Sequence, residues 1–281
     1  MKFALIGASK TGTSIAYHLW KNGHNPIFLW NRSEANLSRT LKFVPFKTTA
    51  IDITAVPGTC DFIIFSVSDD ALQEVVSNFL ATHQHCSANM FHTSGALDAS
   101  VFENYPQAGS FHPVISIPNI EEGIKLLPKT TFTCEGQIAD ELVSMATDIG
   151  KTGIKLTAEQ KKYIHLSAVF LNNYLAGLIE KIKLMNRETG LTDSRTQAIL
   201  DGITNQTVAS SWQTNIEDSL TDPVRRGDIK TIKKHLAILD NDDLFRQLYK
   251  NFGKILLNLV NQDIEKTELL EELFKFDINE R

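Results

Sequence analysis

The sequence predicts an α/β domain built on a mostly parallel sheet, followed by an all-α domain. Short β-rich runs alternate with helical patterns through the first half, the signature of crossover units. A strand, a glycine-bearing turn and a helix open the chain between Phe3 and Leu19. From Thr157 onward the pattern changes to long helices without a convincing strand, which gives an expected division into 1–156 and 157–281.

The elements follow in order. The apolar run Phe3-Ala4-Leu5-Ile6 reads as a strand over Lys2–Gly7, and Thr13 to Leu19 as a helix. Between them Gly7-Ala8-Ser9-Lys10-Thr11-Gly12 has the spacing of G-x-G-x-x-G, with Ser9 at the middle glycine. Such a turn points backbone N–H groups and a positive helix end at a dinucleotide pyrophosphate. Serine there narrows the backbone's approach but brings a hydroxyl donor. Pro26–Trp30 is the second strand, and it ends in Asn31-Arg32-Ser33. An acidic residue at this point would hold a ribose 2′-hydroxyl, whereas Arg32, flanked by the neutral donors Asn31 and Ser33, suits a 2′-phosphate. The cofactor expected is therefore NADP.

Further strands are expected at Phe43–Phe46, Phe62–Val67, Asn89–His92, Ser110–Pro113, Thr130–Cys134 and Gly153–Leu156, with a helix near Ile138–Ile149. Ligands of such sheets bind beyond the carboxyl ends of the strands. The residues there are Val67 and Ser68, then His92-Thr93-Ser94-Gly95, then His112-Pro113. Val67, Ser68 and Ser94 are candidate cofactor contacts, and His112 a candidate substrate contact. Ser94 lacks the G-x-S-x-G elbow of a serine nucleophile.

In the helical half, the segment from Ala158 to about Arg187 is apolar on nearly every side and is expected to be buried centrally. On it His165 and Asn172 are seven residues apart and share a face, with Lys162 three residues before His165. His165 is the candidate proton donor because imidazole titrates near neutrality; Asn172 would orient the substrate, and Lys162 is a second candidate acid. Helices are also expected at about 193–214, 228–239, 242–262 and 264–276. The sets Leu244, Leu248, Phe252, Ile255, Leu256, Val260 and Leu269, Leu270, Leu273, Phe274 would form either a bundle core or a dimer interface. Between two helices, Thr221-Asp222-Pro223-Val224-Arg225-Arg226-Gly227-Asp228 places Asp228 as an N-cap and leaves the arginines for an anionic substrate or for the cofactor. Arg226 and Asp228 are taken as candidate substrate contacts.

Composition bounds the rest. At 281 residues with a net charge of −5, the chain is expected to be a soluble protein of two domains without a nucleic-acid or membrane surface. The opening apolar run stops at Gly7, too short for a signal peptide, so the expected location is cytoplasmic. Cys60, Cys86 and Cys134 form no C-x-x-C, and His92, His112 and His165 lack the spacing of a preformed zinc site, so no metal is expected.

The glycine turn, Asn31-Arg32-Ser33 and Val67-Ser68-Asp69-Asp70 resemble the N-terminal domains of pyrroline-5-carboxylate reductases, deazaflavin-dependent NADP reductases and the 6-phosphogluconate dehydrogenase superfamily. More specific are His92-Thr93-Ser94-Gly95-Ala96, Gly109-Ser110-Phe111-His112-Pro113, Tyr163 to Phe170 with Asn173-Tyr174, and Asp222 to Asp228 with Thr231 and His235. These resemble a group that pairs a Rossmann-like domain with a helical domain of unknown function 2520, and the resemblance spans nearly the whole chain. It implies an NADP-binding domain, a helical domain that forms a homodimer, and a cleft between them, without naming a substrate. In the wider superfamily a lysine, a histidine three residues later and then an asparagine mark the catalytic helix; Lys162 and His165 match, but Leu166 stands at the asparagine position.

The reading that follows is an NADP-dependent oxidoreductase moving a hydride to or from a small, polar, anionic carbonyl or imine substrate. The alternative is a non-catalytic NADP(H)-binding sensor or scaffold; a reductase using deazaflavin as second cofactor is a third reading.

Overall fold

The computed structural model describes residues 1–215, 222–259 and 264–275. Of the residues singled out above, Thr221 and Val260 lie outside them. Eight strands form one sheet in the order β3-β2-β1-β4-β5-β6-β7-β8. They are β1 (Lys2–Ile6), β2 (Asn25–Trp30), β3 (Thr48–Ala50), β4 (Phe62–Phe65), β5 (Asn89–His92), β6 (Ala108–Pro113), β7 (Thr131–Gly136) and β8 (Thr152–Lys155). Every neighbouring pair is parallel except β6 with β7.

A parallel sheet is covered on both faces, so its strands read as continuous apolar runs rather than alternating ones. In β1, Phe3 and Leu5 enter the core on one face with α1 (Lys10–Lys21), while Ala4 and Ile6 enter the core on the other. The remaining crossover helices are α2 (Glu34–Leu41), α3 (Asp69–Thr82) and α5 (Ala139–Ile149), while α4 (Ile120–Leu126) lies in the connection between the antiparallel strands β6 and β7. Edge-to-face ring pairs such as Phe65 with Phe79, centroids 5.6 Å apart, tie α3 to β4.

One expected strand is displaced. Phe43–Phe46 is not a strand; Val44 and Phe46 are buried as loop residues of the core, and the pairing with β2 is made by Thr48–Ala50. Apolar character marks burial, whereas the ladder is decided by which backbone lies alongside β2.

Packing divides the chain into Met1–Glu180 and Lys181–Arg281. α6 (Ala158–Ala168) opens with a capping box, Thr157 Oγ1 accepting from the Gln160 amide and Gln160 Oε1 from the Thr157 amide. It runs into a π-helical stretch, Val169–Tyr174, and then α7 (Leu175–Arg187). The central burial expected for this segment is not found: Tyr163, Leu166, Phe170, Leu171 and Tyr174 are all exposed. A segment apolar on nearly every side thus leaves much of its apolar surface open.

In the second unit, α8 (Asp193–Ser211) is followed by α9 (Pro223–Arg226), α10 (Ile229–Ile238), α11 (Asp243–Leu259) and α12 (Ile264–Leu273). Helices therefore dominate the C-terminal part. Val224, Ile232, Leu236, Leu257, Leu270 and Phe274 form its core. Leu244, Phe252 and Ile255 of the expected α11 stripe are exposed instead, because Gly253 lets the Phe274 ring lie directly on the helix and turns the Gly253–Leu257 side inward. None of the described helices is long and apolar enough to cross a membrane.

Candidate active site

Four loops at the carboxyl ends of β1, β2, β4 and β5 sit side by side because those strands are neighbours in the sheet. In the first, Gly7 has φ +96°, a left-handed conformation, and a Cβ there would lie 2.6 Å from the Ser66 carbonyl carbon. A Cβ on Gly12 would lie 2.5 Å from Ser66 Oγ, so both glycines are required by the approach of β4's end. Ser9 is the N-cap of α1, its hydroxyl accepting from the Gly12 amide at 3.0 Å. The same oxygen is 2.6 Å from Ser66 Oγ, which is in turn 2.6 Å from Thr93 Oγ1. Ser9 thus replaces a glycine without obstructing the turn, since its side chain folds inward on this hydroxyl row. The amides of Lys10 and Thr11, first in α1, have no acceptor among the described residues. Ala8 is buried, and its carbonyl accepts from Arg39 Nη2 at 3.0 Å.

At the end of β2, Asn31 Oδ1 accepts from the Ser33 amide at 2.9 Å and folds the loop on itself. Ser33 occupies the N-cap position of α2 but makes no side-chain cap. Arg32 is exposed and makes no ion pair among the described residues. Arg39, which the sequence reading passed over, brings a second guanidinium to the same end of the sheet; its signal was two turns of helix separating it from Arg32. Val67 and Ser68 follow β4, Val67 beside Gly7 and Ser68 at the N-cap of α3.

The chemistry gathers around Gly95. Lys161 is 2% exposed, and its ammonium donates to the carbonyls of Ser94 at 2.7 Å and Gly95 at 2.9 Å. Burial brings its pKa down to about 8, partly opposed by Glu135, Asp69 and Asp98. His112 Nδ1 faces the Thr93 carbonyl at 3.1 Å. A carbonyl only accepts, so Nδ1 carries the proton and Nε2 is a bare lone pair in the neutral ring. Burial keeps that ring neutral, lowering its pKa to about 4. The His165 ring lies 6.2 Å from it, centroid to centroid, and His165 Nδ1 is buried without a hydrogen-bond partner. A Cβ on Gly95 would sit 2.6 Å from His165 Nδ1 and 2.8 Å from His112 Nε2, so only glycine admits both imidazoles. A cavity of about 10 Å³ is lined by Gly95, His112, Thr133, Lys161 and His165, among others.

Not every expected residue joins this cluster. The Lys162 side chain is 62% exposed and pairs with Asp98 at 3.1 Å; the lysine on the inward face is Lys161, four residues before His165. Spacings of three and four residues from His165 both place a lysine on a neighbouring helix face, and it is packing against the Ser94 and Gly95 carbonyls that selects Lys161. Asn172 lies in the π-helical stretch, exposed, its amide donating to Asn173 Oδ1 at 2.6 Å. Ser94 shapes the loop, its hydroxyl accepting from the Leu97 amide at 3.1 Å. His92 is structural too: Nδ1 accepts from the Ser94 amide and Nε2 donates to the Asp98 carbonyl.

Arg226 and Asp228 belong to the second unit. Asp228 caps α10, accepting from the Thr231 amide at 3.1 Å and hydroxyl at 2.7 Å, with Arg226 Nη2 4.0 Å away. Asp222 caps α9, and Gly227 ends it in a left-handed conformation, so most of the motif between Asp222 and Asp228 is accounted for by capping. Among the described residues no group of three or more His, Cys, Asp or Glu side chains could hold a metal ion.

Residues 1–116 match the model of a Rossmann-like domain, and residues 130–256 that of a domain of unknown function 2520. No curated protein matches the chain. Among solved structures, a Bacteroides fragilis protein assigned as an NADP oxidoreductase is similar over 90% of this chain and 96% of its own, at 22% identity and a TM-score of 0.72. A reductive aminase from Aspergillus terreus, in complex with NADPH and ethyl levulinate, aligns over 98% of this chain and 99% of its own at 15% identity, TM-score 0.66. The pyrroline-5-carboxylate reductase of Coxiella burnetii gives 97%, 98%, 14% and 0.56. At such identities these likenesses speak to the fold.

Proposed function

From a chain that carries a Rossmann-like domain followed by a domain of unknown function 2520, we propose an NADP-dependent oxidoreductase acting on a small, polar, anionic carbonyl or imine substrate. The observation that carries this reading is the buried Lys161 ammonium beside two imidazoles, on the same sheet edge as a glycine turn with unpartnered helix amides. NADPH, when bound, supplies the hydride. The glycine turn fits its pyrophosphate, since the amides of Lys10 and Thr11 and the partly exposed Ser9 hydroxyl are donors at a positive helix end. Asn31, Arg32 and Ser33, with Arg39 behind them, would hold the 2′-phosphate; Val67, Ser68 and Ser94 would border the nicotinamide side. The solved structures of similar fold described with NADP or NADPH support the same cofactor.

Lys161 and His165 are the groups suited to deliver a proton. An acid with a pKa near 8 is protonated at neutral pH and close enough to release its proton in step with hydride arrival. Lys162 and Asn172 face solvent and take no part in this reading, while His112 borders the substrate. Arg226 is retained as a substrate contact, and Asp228 as the N-cap of α10 that follows it. The exposed apolar residues of α6 and the π-helical stretch, and Ile199, Ile203 and Trp212 in the second unit, support a homodimer through the helices.

The test is calorimetric titration with NADPH and NADH of the wild type and Arg32→Ala. NADPH affinity is expected to fall at least tenfold in the variant while NADH binding is unchanged; binding of neither nucleotide by the wild type would end the reading.

A further inference from the structure

The cavity beside Gly95 bears on which atom reacts. It offers the space of about one water-sized sphere, enough for a single heavy atom. Four polar side chains line it, and since Thr133 donates its hydroxyl proton to the His112 carbonyl at 3.3 Å, the other three remain for an incoming atom. Lys161 spends two of its three protons on the Ser94 and Gly95 carbonyls and has one left to donate. His112 Nε2 can only accept, because Nδ1 holds the ring's proton against Thr93. His165 Nδ1 has no partner and faces that lone pair across Gly95, which favours a proton on Nδ1 and makes it a donor.

We propose that this cavity receives the oxygen of a carbonyl or alcohol, so that the substrates are ketones or aldehydes and the corresponding alcohols rather than imines and amines. The inference rests on the oxidoreductase reading and narrows it. A hydroxyl oxygen accepts from Lys161 and His165 and donates to His112 Nε2, which satisfies all three groups. An iminium or ammonium nitrogen has no lone pair for the two donors, and it would place a second positive charge against the Lys161 ammonium in a buried space.

In the reducing direction the carbonyl carbon takes up the hydride with its electron pair and a C–H bond forms. The C=O π pair moves onto oxygen, and that oxygen takes the third proton of Lys161, whose amine is reprotonated from solvent. The new O–H then turns to His112 Nε2.

Two readouts test it on the full chain loaded with NADP⁺ or NADPH. In ¹⁵N-histidine spectra, 2-propanol is expected to move the His112 and His165 ring signals saturably, and isopropylammonium, of the same skeleton, to leave them in place. In NADPH oxidation, cyclopentanone is expected to exceed 1-pyrroline at least tenfold in kcat/KM. His112→Asn keeps a donor for the Thr93 carbonyl but lacks the Nε2 acceptor, and should lose the alcohol-induced shift of His165. Gly95→Ala should abolish the shifts by pushing apart the two rings that line the cavity. Equal shifts from the ammonium probe, no shift from either, or preference for the imine would overturn the oxygen assignment while NADPH binding still stood. Absence of NADPH binding would overturn the reading beneath it as well.

Discussion

Acidification should destabilise the sheet unit through two buried imidazoles. Burial, reinforced by Lys161, lowers the pKa of His92 from 6.5 to about 3, and burial lowers that of His112 to about 4. Both rings are neutral when folded and would have to charge in the dry end of the sheet. Above pH 6.5 folded and unfolded chains bind the same number of protons at these sites. Below it the unfolded imidazoles take up protons that the folded ones refuse, so stability falls with pH until the folded pKa values are reached. At about 1.4 kcal/mol per pH unit per group, each histidine removes about 3 kcal/mol by pH 4.5, a large share of a typical domain's stability. Glu135, raised by burial, acts in the opposite sense, and Asp98, lowered first by its Ser100 hydrogen bond, adds to the loss at still lower pH.

Urea unfolding between pH 7.5 and 4.5 measures this directly. His92→Gln and His112→Asn retain an amide donor but cannot titrate, so each should reduce the slope of stability against pH by about 1.4 kcal/mol per unit. Variants that kept the wild-type slope would show that the two rings are protonated in the folded state, and the tautomer argument for His112 Nε2 would fail with it.

Three further outcomes are expected. Lys161→Met should reduce turnover at least a hundredfold with little change in NADPH affinity, and wild-type reduction rates should decline above about pH 8 as the ammonium deprotonates; a flat profile to pH 9.5 would exclude it as the acid. Gly12→Ala would press a methyl on Ser66 and should either unfold the protein or weaken NADPH at least tenfold, whereas Gly177→Ala, with open space at its Cβ, should be neutral by thermal melting. Sedimentation should find a dimer, and Phe170→Glu should yield a monomer; an unaltered sedimentation coefficient would place the interface elsewhere.

The legible part of this chain was local. Continuous apolar runs bounded by turn residues gave the strands β1, β2, β4 and β5 to within two residues, because a strand covered on both faces is mostly apolar. Where burial and pairing part company, as at Phe43–Phe46, the apolar pattern misled. The cofactor loop could be read because a left-handed Gly7 and a close-packed Gly12 are local requirements written in the residue type. The row Ser9, Ser66, Thr93 could not, since its members come from three strand ends and meet only when the sheet orders them β1-β4-β5.

Residue patterns along the chain carry the two classes of architecture, the turn that suits a pyrophosphate and the arginine that follows β2. The approach of distant elements is what turns Lys161 rather than Lys162 inward, brings His112 and His165 together over Gly95, and leaves the apolar face of α6 open. The reason is physical: backbone conformation depends on neighbours in sequence, whereas burial, proton position and free surface depend on which distant elements come to lie beside a residue.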